Sequence, residues 1–153
     1  MIIRFAQKSD LPAIADLARE MIDYHHALDP YYKAAAGYVN LEGDLGKELT
    51  DKNSLFLIAE QNKEILGYFR GSVDPSPNYV EPEKIGVVYD LFVTEKQRGR
   101  SIGSRLLDEA LSWFKKKKAK NIELNVDTRN PAGIAFWKRH GFADYKLRLR
   151  RDL

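Results

Sequence analysis

Residues Ile85 to Thr94 form a long apolar run that ends in Glu95-Lys96-Gln97-Arg98-Gly99-Arg100-Ser101, a basic turn that opens directly into an amphipathic segment starting at Ile102. Val87, Val88, Leu91, Phe92 and Val93 put apolar side chains on both faces of the run, which predicts a central strand of a covered sheet. After the turn, Leu106, Leu107, Ala110, Leu111 and Phe114 recur at helical spacing. A strand, a glycine-containing turn and a helix in this order bring backbone N–H groups and the positive end of a helix dipole to one point, where a phosphate can be held. Gly99 and Gly103 permit a close backbone approach there. The run lacks the Lys-Ser or Lys-Thr ending of a Walker loop and the spacing of a dinucleotide fingerprint. A purely structural strand-to-helix turn is the alternative reading of the same residues.

The rest of the chain supplies a mixed α/β order. Ile2 to Phe5 reads as a short strand, and Ser9-Asp10-Leu11-Pro12 announces a helix that carries Ile14, Leu17, Ala18, Met21 and Ile22 to about Tyr24. Leu41, Leu45 and Leu49 suggest a short second helix, after a loop rich in aromatics. Leu55 to Glu60 and Glu64 to Val73 form a hairpin about Gln61-Asn62-Lys63. Ile122, Leu124 and Val126 alternate as a further strand, a helix follows Asn130, and Ala143 to Leu149 is expected to close the sheet.

With 153 residues, 44% of them hydrophobic and 31% charged, the chain is expected to make one domain spanning residues 1–153. No run is long enough for a membrane span and no secretory leader is evident, so a soluble, cytoplasmic protein is expected. The absence of cysteine excludes disulfides, cysteine-ligated zinc and a thiol nucleophile. A formal charge of +3 suits a phosphate-bearing ligand. Lys115 to Lys118 and Lys120 read as a solvated helix end rather than a nucleic-acid surface, because the macrodipole itself favours cations there.

A second motif, Asn130-Pro131-Ala132-Gly133-Ile134-Ala135-Phe136-Trp137-Lys138-Arg139-His140-Gly141-Phe142, follows the first. The pair, in this order and spacing, resembles the coenzyme A site of the GNAT superfamily of N-acetyltransferases. The resemblance implies a twisted mixed β-sheet of 6–7 strands flanked by about four helices, with a splay between the strands ending at Val93 and Val126. It implies that Arg98, Gly99, Arg100, Ser101, Ile102, Gly103 and Ser104 cradle the diphosphate, that Leu91, Phe92 and Val93 pair with the pantetheine arm, and that Asn130 and Trp137 also meet the cofactor. Ser101 stands where the family usually has a glycine, and its Cβ narrows the approach. Asn130 equally suits a helix N-cap without any ligand.

By the same resemblance, the reaction is direct attack of a primary amine, from a small molecule or a peptide, on acetyl-CoA in a ternary complex, with no metal. The family's usual acid is a tyrosine at the position of Trp137, and an indole cannot supply a proton at neutral pH. Tyr89, Tyr145 and Tyr68 are the substitutes, Tyr89 first, although each also fits a packing role. A lysine-like amine lies roughly 3.4 pH units from deprotonation at neutral pH, a cost of about 4.6 kcal/mol, so a base matters. The family's glutamate position holds Asn125, which makes Asp90 the candidate base, with a structural carboxylate as its other reading and Asp127 as the weaker choice. Tyr24, His25, Asp29, Tyr31 and Tyr32 are candidate walls of the acceptor pocket, with loop packing as the alternative. His25, His26 and His140 make no ligand set for a metal. A homodimer is compatible with the resemblance, and a non-catalytic acyl-CoA-binding or sensing module is the rival function.

Overall fold

The computed structural model describes residues 1–79 and 81–153. The chain runs β1 (Ile2–Phe5), α1 (Leu11–Leu28), α2 (Leu41–Leu49), β2 (Ser54–Gln61), β3 (Glu64–Pro75), β4 (Lys84–Val93), α3 (Ile102–Lys116), β5 (Asn121–Glu123) and α4 (Pro131–Arg139), with short 3-10 turns between. One mixed sheet has the order β1-β2-β3-β4-β5, antiparallel except for the parallel β4–β5 pair. The β2–β3 hairpin turns on Asn62 and Lys63, both at positive φ, a pairing whose twist matches the flanking strands.

Helices cover both faces. α1 and α2 lie over Phe56, Ile58, Tyr68 and Phe92, burying Ile14, Leu17, Ala18 and Leu45. α3 lies over Leu55, Leu57, Phe69, Val73 and Val88, and buries Leu106, Leu107, Ala110 and Phe114. Full burial of each large side chain in these stripes contributes roughly 1.5–3 kcal/mol relative to exposure. Gly86 leaves room for the Phe114 ring, which would stand 2.7 Å from a Cβ there.

Four expectations are corrected. The sheet among the described residues has five strands rather than 6–7. β5 stops at Glu123, so Leu124 and Val126 are outside it, and Ala143 to Leu149 join no strand. The register of β3 and β4 gives the reason: Arg70 faces Asp90 but Gly71 faces Val88, so Tyr89 is an extra residue in a β-bulge. A bulge bends and twists its strand, and β4 leaves β5 after the Val87–Glu123 pair, taking away the partner that a longer β5 requires. The fourth correction is α1, which runs one turn past Tyr24 to Leu28 and takes in His25 and His26.

Candidate active site

Where β4 and the chain after β5 part, a cavity of about 650 Å3 opens, and both motifs face it. Leu91, Phe92 and Val93 form one wall, continued by Tyr89 and Asp90. Arg98, Gly99 and Ser101 to Ser104 form the α3 end, and Asn130 and Trp137 the α4 side. Tyr24 and His25 reach it from α1, together with Met21, which the sequence did not single out. Arg100, Asp29, Tyr31 and Tyr32 are not among the residues lining it.

The α3 entrance is a set of free donors held in place by unusual backbone. Gly99 has φ +77° and Ser101 φ +59°, ψ 14°, so the chain turns through two left-handed residues immediately before the helix. The first-turn N–H groups have no intrahelical acceptors, and Ser101 gives no side-chain cap. The left-handed conformation costs a non-glycine residue roughly 1–2 kcal/mol, so the serine at this position carries a backbone strain as well as a Cβ. Arg98 is anchored by its Nε, which donates to the Val93 carbonyl at 3.1 Å, and its guanidinium lies over the rings of Tyr24 and Phe92. A Cβ on Gly103 would stand 3.3 Å from both Leu91 and Phe136, so this glycine sets how closely α3, β4 and α4 approach.

The α4 side is built from local interactions of the second motif. Asn130 caps the helix, its Oδ1 accepting the Gly133 N–H at 2.9 Å and also the Tyr24 hydroxyl at 3.0 Å, which ties α1 to α4. Gly141, at φ +87°, follows the last turn. His140 joins two helices: Nδ1 donates to the Phe136 carbonyl at 2.8 Å, which leaves Nε2 to accept from the Ser104 hydroxyl at 3.0 Å. The Trp137 indole is packed edge-to-face between Phe136 and Phe142, with centroids at 5.1 and 5.2 Å.

Asp90 has an ion-paired neighbour that sequence reasoning missed. Arg70 Nε donates to its Oδ2 at 2.7 Å, and the same guanidinium reaches Glu48 of α2 at 2.7 Å. The cross-strand position of Arg70 opposite Asp90 was a legible signal only once the β3–β4 register was known. Tyr68 is fully buried, and burial first, then the Asp90 charge, push its phenol well above the ordinary value, so it keeps its proton. The Tyr89 hydroxyl sits 2.8 Å from Ser72 Oγ, which donates to Asp74 at 2.9 Å. Tyr145 is exposed, in the segment after α4.

At the far end of α1, Asp29 is buried and accepts from Arg129 at 2.6 Å, Arg150 at 2.9 Å and the Tyr31 N–H at 3.1 Å. Arg129 first, then that backbone N–H, hold its carboxyl well below the usual carboxylate range. Arg129 also binds Asp127 and lowers that carboxyl in the same way. Tyr31 is exposed, and the Tyr32 ring lies 6.2 Å from that of His25. Neither Arg129 nor Arg150 was singled out from sequence.

A free-donor helix entrance beside a parting pair of strands is the architecture of an anion-binding cleft in an α/β protein. Residues 13–142 match the Acetyltransferase (GNAT) family, and the chain belongs to that family, as an N-acetyltransferase. An uncharacterized N-acetyltransferase of Bacillus subtilis, YhfO, is 28% identical over 144 residues, 94% of this chain and 91% of that protein. A mutant BH1408 protein from Bacillus halodurans has the same fold, with a TM-score of 0.92 at 23% identity over 100% of this chain and 99% of that one. The aminoglycoside N-acetyltransferase AAC(6')-Iy, solved in complex with CoA, superposes with a TM-score of 0.76 at 15% identity over 99% of each chain.

Proposed function

We propose that residues 1–153 act as one catalytic unit, in the cytoplasm, that moves the acetyl group of acetyl-CoA to a primary amine bound beside it. The observation that carries this reading is the cavity between β4 and the chain after β5, with the α3 entrance at one end and Asp90 and Tyr89 at its wall. The diphosphate would meet the N–H groups of Ile102, Gly103 and Ser104, with Arg98, Gly99, Arg100 and Ser101 around it. The pantetheine arm would run along Leu91, Phe92 and Val93 and past Asn130 and Trp137. CoA in the complexed relative supports this choice of cosubstrate.

In the transfer, the neutral amine nitrogen attacks the thioester carbonyl carbon, a C–N bond forms and the C–S bond breaks. The nitrogen loses one proton and the departing thiolate gains one, giving an N-acetyl amine and free coenzyme A. Asp90 would take the proton, through Oδ1, since Oδ2 is occupied by Arg70. Tyr89 would return one, its hydroxyl turning from the bond it donates to Ser72. Trp137 packs rather than transfers protons.

Thiol release from acetyl-CoA, followed across a panel of alkylamines, amino acids and peptides, is the direct test. Release that depends on an added amine is expected. Tight coenzyme binding with no release for any amine would replace this reading with a sensing module. Asp90→Asn is expected to lose most of the rate near neutral pH and to recover part of it as pH rises and the amine deprotonates unaided. A wild-type rate at every pH would remove Asp90 as the base.

A further inference from the structure

The charges beyond the end of α1 carry an inference about the acceptor. Asp29 has only 8% of its side chain exposed and lies just past the carboxyl end of an 18-residue helix, where the macrodipole favours positive charge. Around it stand two carboxylates, Asp29 and Asp127, and one guanidinium, Arg129, bonded to both. That group alone has a surplus negative charge. Arg150 meets it from the exposed segment after α4: its guanidinium is 2.9 Å from Asp29 and 4.5 Å above the Tyr31 ring. A carboxylate, an aromatic face and a helix carboxyl end all favour a cation at the same place.

Arg150 is weakly held. Residues 143–153 are all exposed and join no strand, and the other ion pair of Arg150, to Asp152 at 3.7 Å, is on the same exposed segment. Its pair with the buried Asp29 is 46% exposed on the arginine side, so a cationic acceptor that reaches Asp29 replaces one ion pair by another and releases the segment. The site is also continuous with the cleft. Asp127, Tyr24 and His25 line the cleft, Arg129 links Asp127 to Asp29, and the rings of His25, Tyr32 and Tyr31 follow one another at 6.2 and 5.8 Å.

We propose that Asp29 and Tyr31 form a cation subsite at the acceptor end of the cleft, filled by the chain's own Arg150 when no acceptor is bound, and that it selects amines carrying a second positive charge. The proposal rests on the acetyltransferase reading for its kinetic test and on binding alone for its second test.

In the first, thiol release from acetyl-CoA is compared for 1-aminopentane and 1,5-diaminopentane. The diamine should be preferred by about tenfold in kcat/KM, mainly through KM, as one charge-assisted contact allows. Tyr31→Leu, at an exposed ring, and Asp29→Asn should bring the preference to within about twofold. Arg150→Ala should enlarge it by lowering KM for the diamine. Equal use of the two amines by the wild-type chain, a preference unmoved by Tyr31→Leu, or a preference diminished by Arg150→Ala would each overturn the subsite. In the second test, 1,5-diaminopentane is titrated calorimetrically into the protein with coenzyme A bound. Binding weakened by Tyr31→Leu and strengthened by Arg150→Ala supports the subsite even where no amine is acetylated, an outcome that would count against the acetyltransferase reading alone. No diamine binding in either the wild-type chain or Arg150→Ala removes the subsite.

Discussion

The two ends of the cleft are made in different ways. At the α3 end the donors are backbone N–H groups, placed by residues 85–107 in one continuous strand, turn and helix. At the α1 end the charges belong to side chains: Asp29 is 100 positions from Arg129 and 121 from Arg150. The first end depends on helix geometry and on how closely α3 can approach β4 and α4. The second depends on long side chains meeting across three separate segments. The coenzyme end should therefore be sensitive to added volume and indifferent to acid below about pH 4, and the acceptor end the reverse.

The largest effect is expected from Gly103→Val. Its Cβ falls 3.3 Å from Leu91 and Phe136, and the added methyls push α3 away from both. Overpacking of this kind costs about 1–3 kcal/mol, which, taken from coenzyme affinity, weakens acetyl-CoA binding by up to about a hundredfold. Calorimetry on protein with unchanged circular dichroism checks it. Equal affinity would break the comparison, because the helix entrance would then not be what holds the diphosphate.

Acid should act at the other end. Asp29 and Asp127 both have carboxyls lowered by their arginine partner, Arg129. A lowered folded-state value means that these pairs contribute their full stability above the unfolded carboxylate value of about 3.9 and lose it as pH falls below that through the folded values. Melting temperature is expected to be level near neutrality and to drop below about pH 4. Asp29→Asn should make that acid limb shallower. An identical acid limb in Asp29→Asn would show that the Arg129 and Arg150 pairs add nothing to the fold.

The smallest effect is expected from Ser101→Gly. Glycine adopts φ +59° without the Cβ penalty, which favours the variant, and it has a more flexible unfolded chain, which disfavours it. The net is a gain of about 0.5–1 kcal/mol in stability, with a modest tightening of coenzyme binding as the Cβ is removed. Chemical denaturation and calorimetry on one preparation measure both. Destabilisation would mean that the turn is held by the Ser101 side chain instead of by its backbone.

Much of this molecule could be read from its residues in order. The hairpin about Asn62 and Lys63, the apolar stripe of α3, the Asn130 cap and the phosphate-suited turn at Arg98 to Ser104 all come from interactions within a few positions of one another. The length of β5 could not be read this way. Ile122, Leu124 and Val126 alternate as a strand should, but a strand also needs a partner, and the bulge at Tyr89 carries β4 away after Val87. The same bend opens the cavity, so one backbone irregularity accounts both for the strand that was overestimated and for the site.

The side-chain roles divide along the same line. By itself the sequence determined the mixed α/β order and the strand, turn and helix that present the α3 N–H groups, because helix ends, turns and strand periodicity are short-range properties of the chain. Only the tertiary structure decided that Asp90 lies against Arg70, that Asp29 lies between Arg129 and Arg150, and that Ser104 meets His140. An ion pair or hydrogen bond between distant residues depends on the register of strands and the packing of helices, and neither is written in the local spacing of the residues that make it.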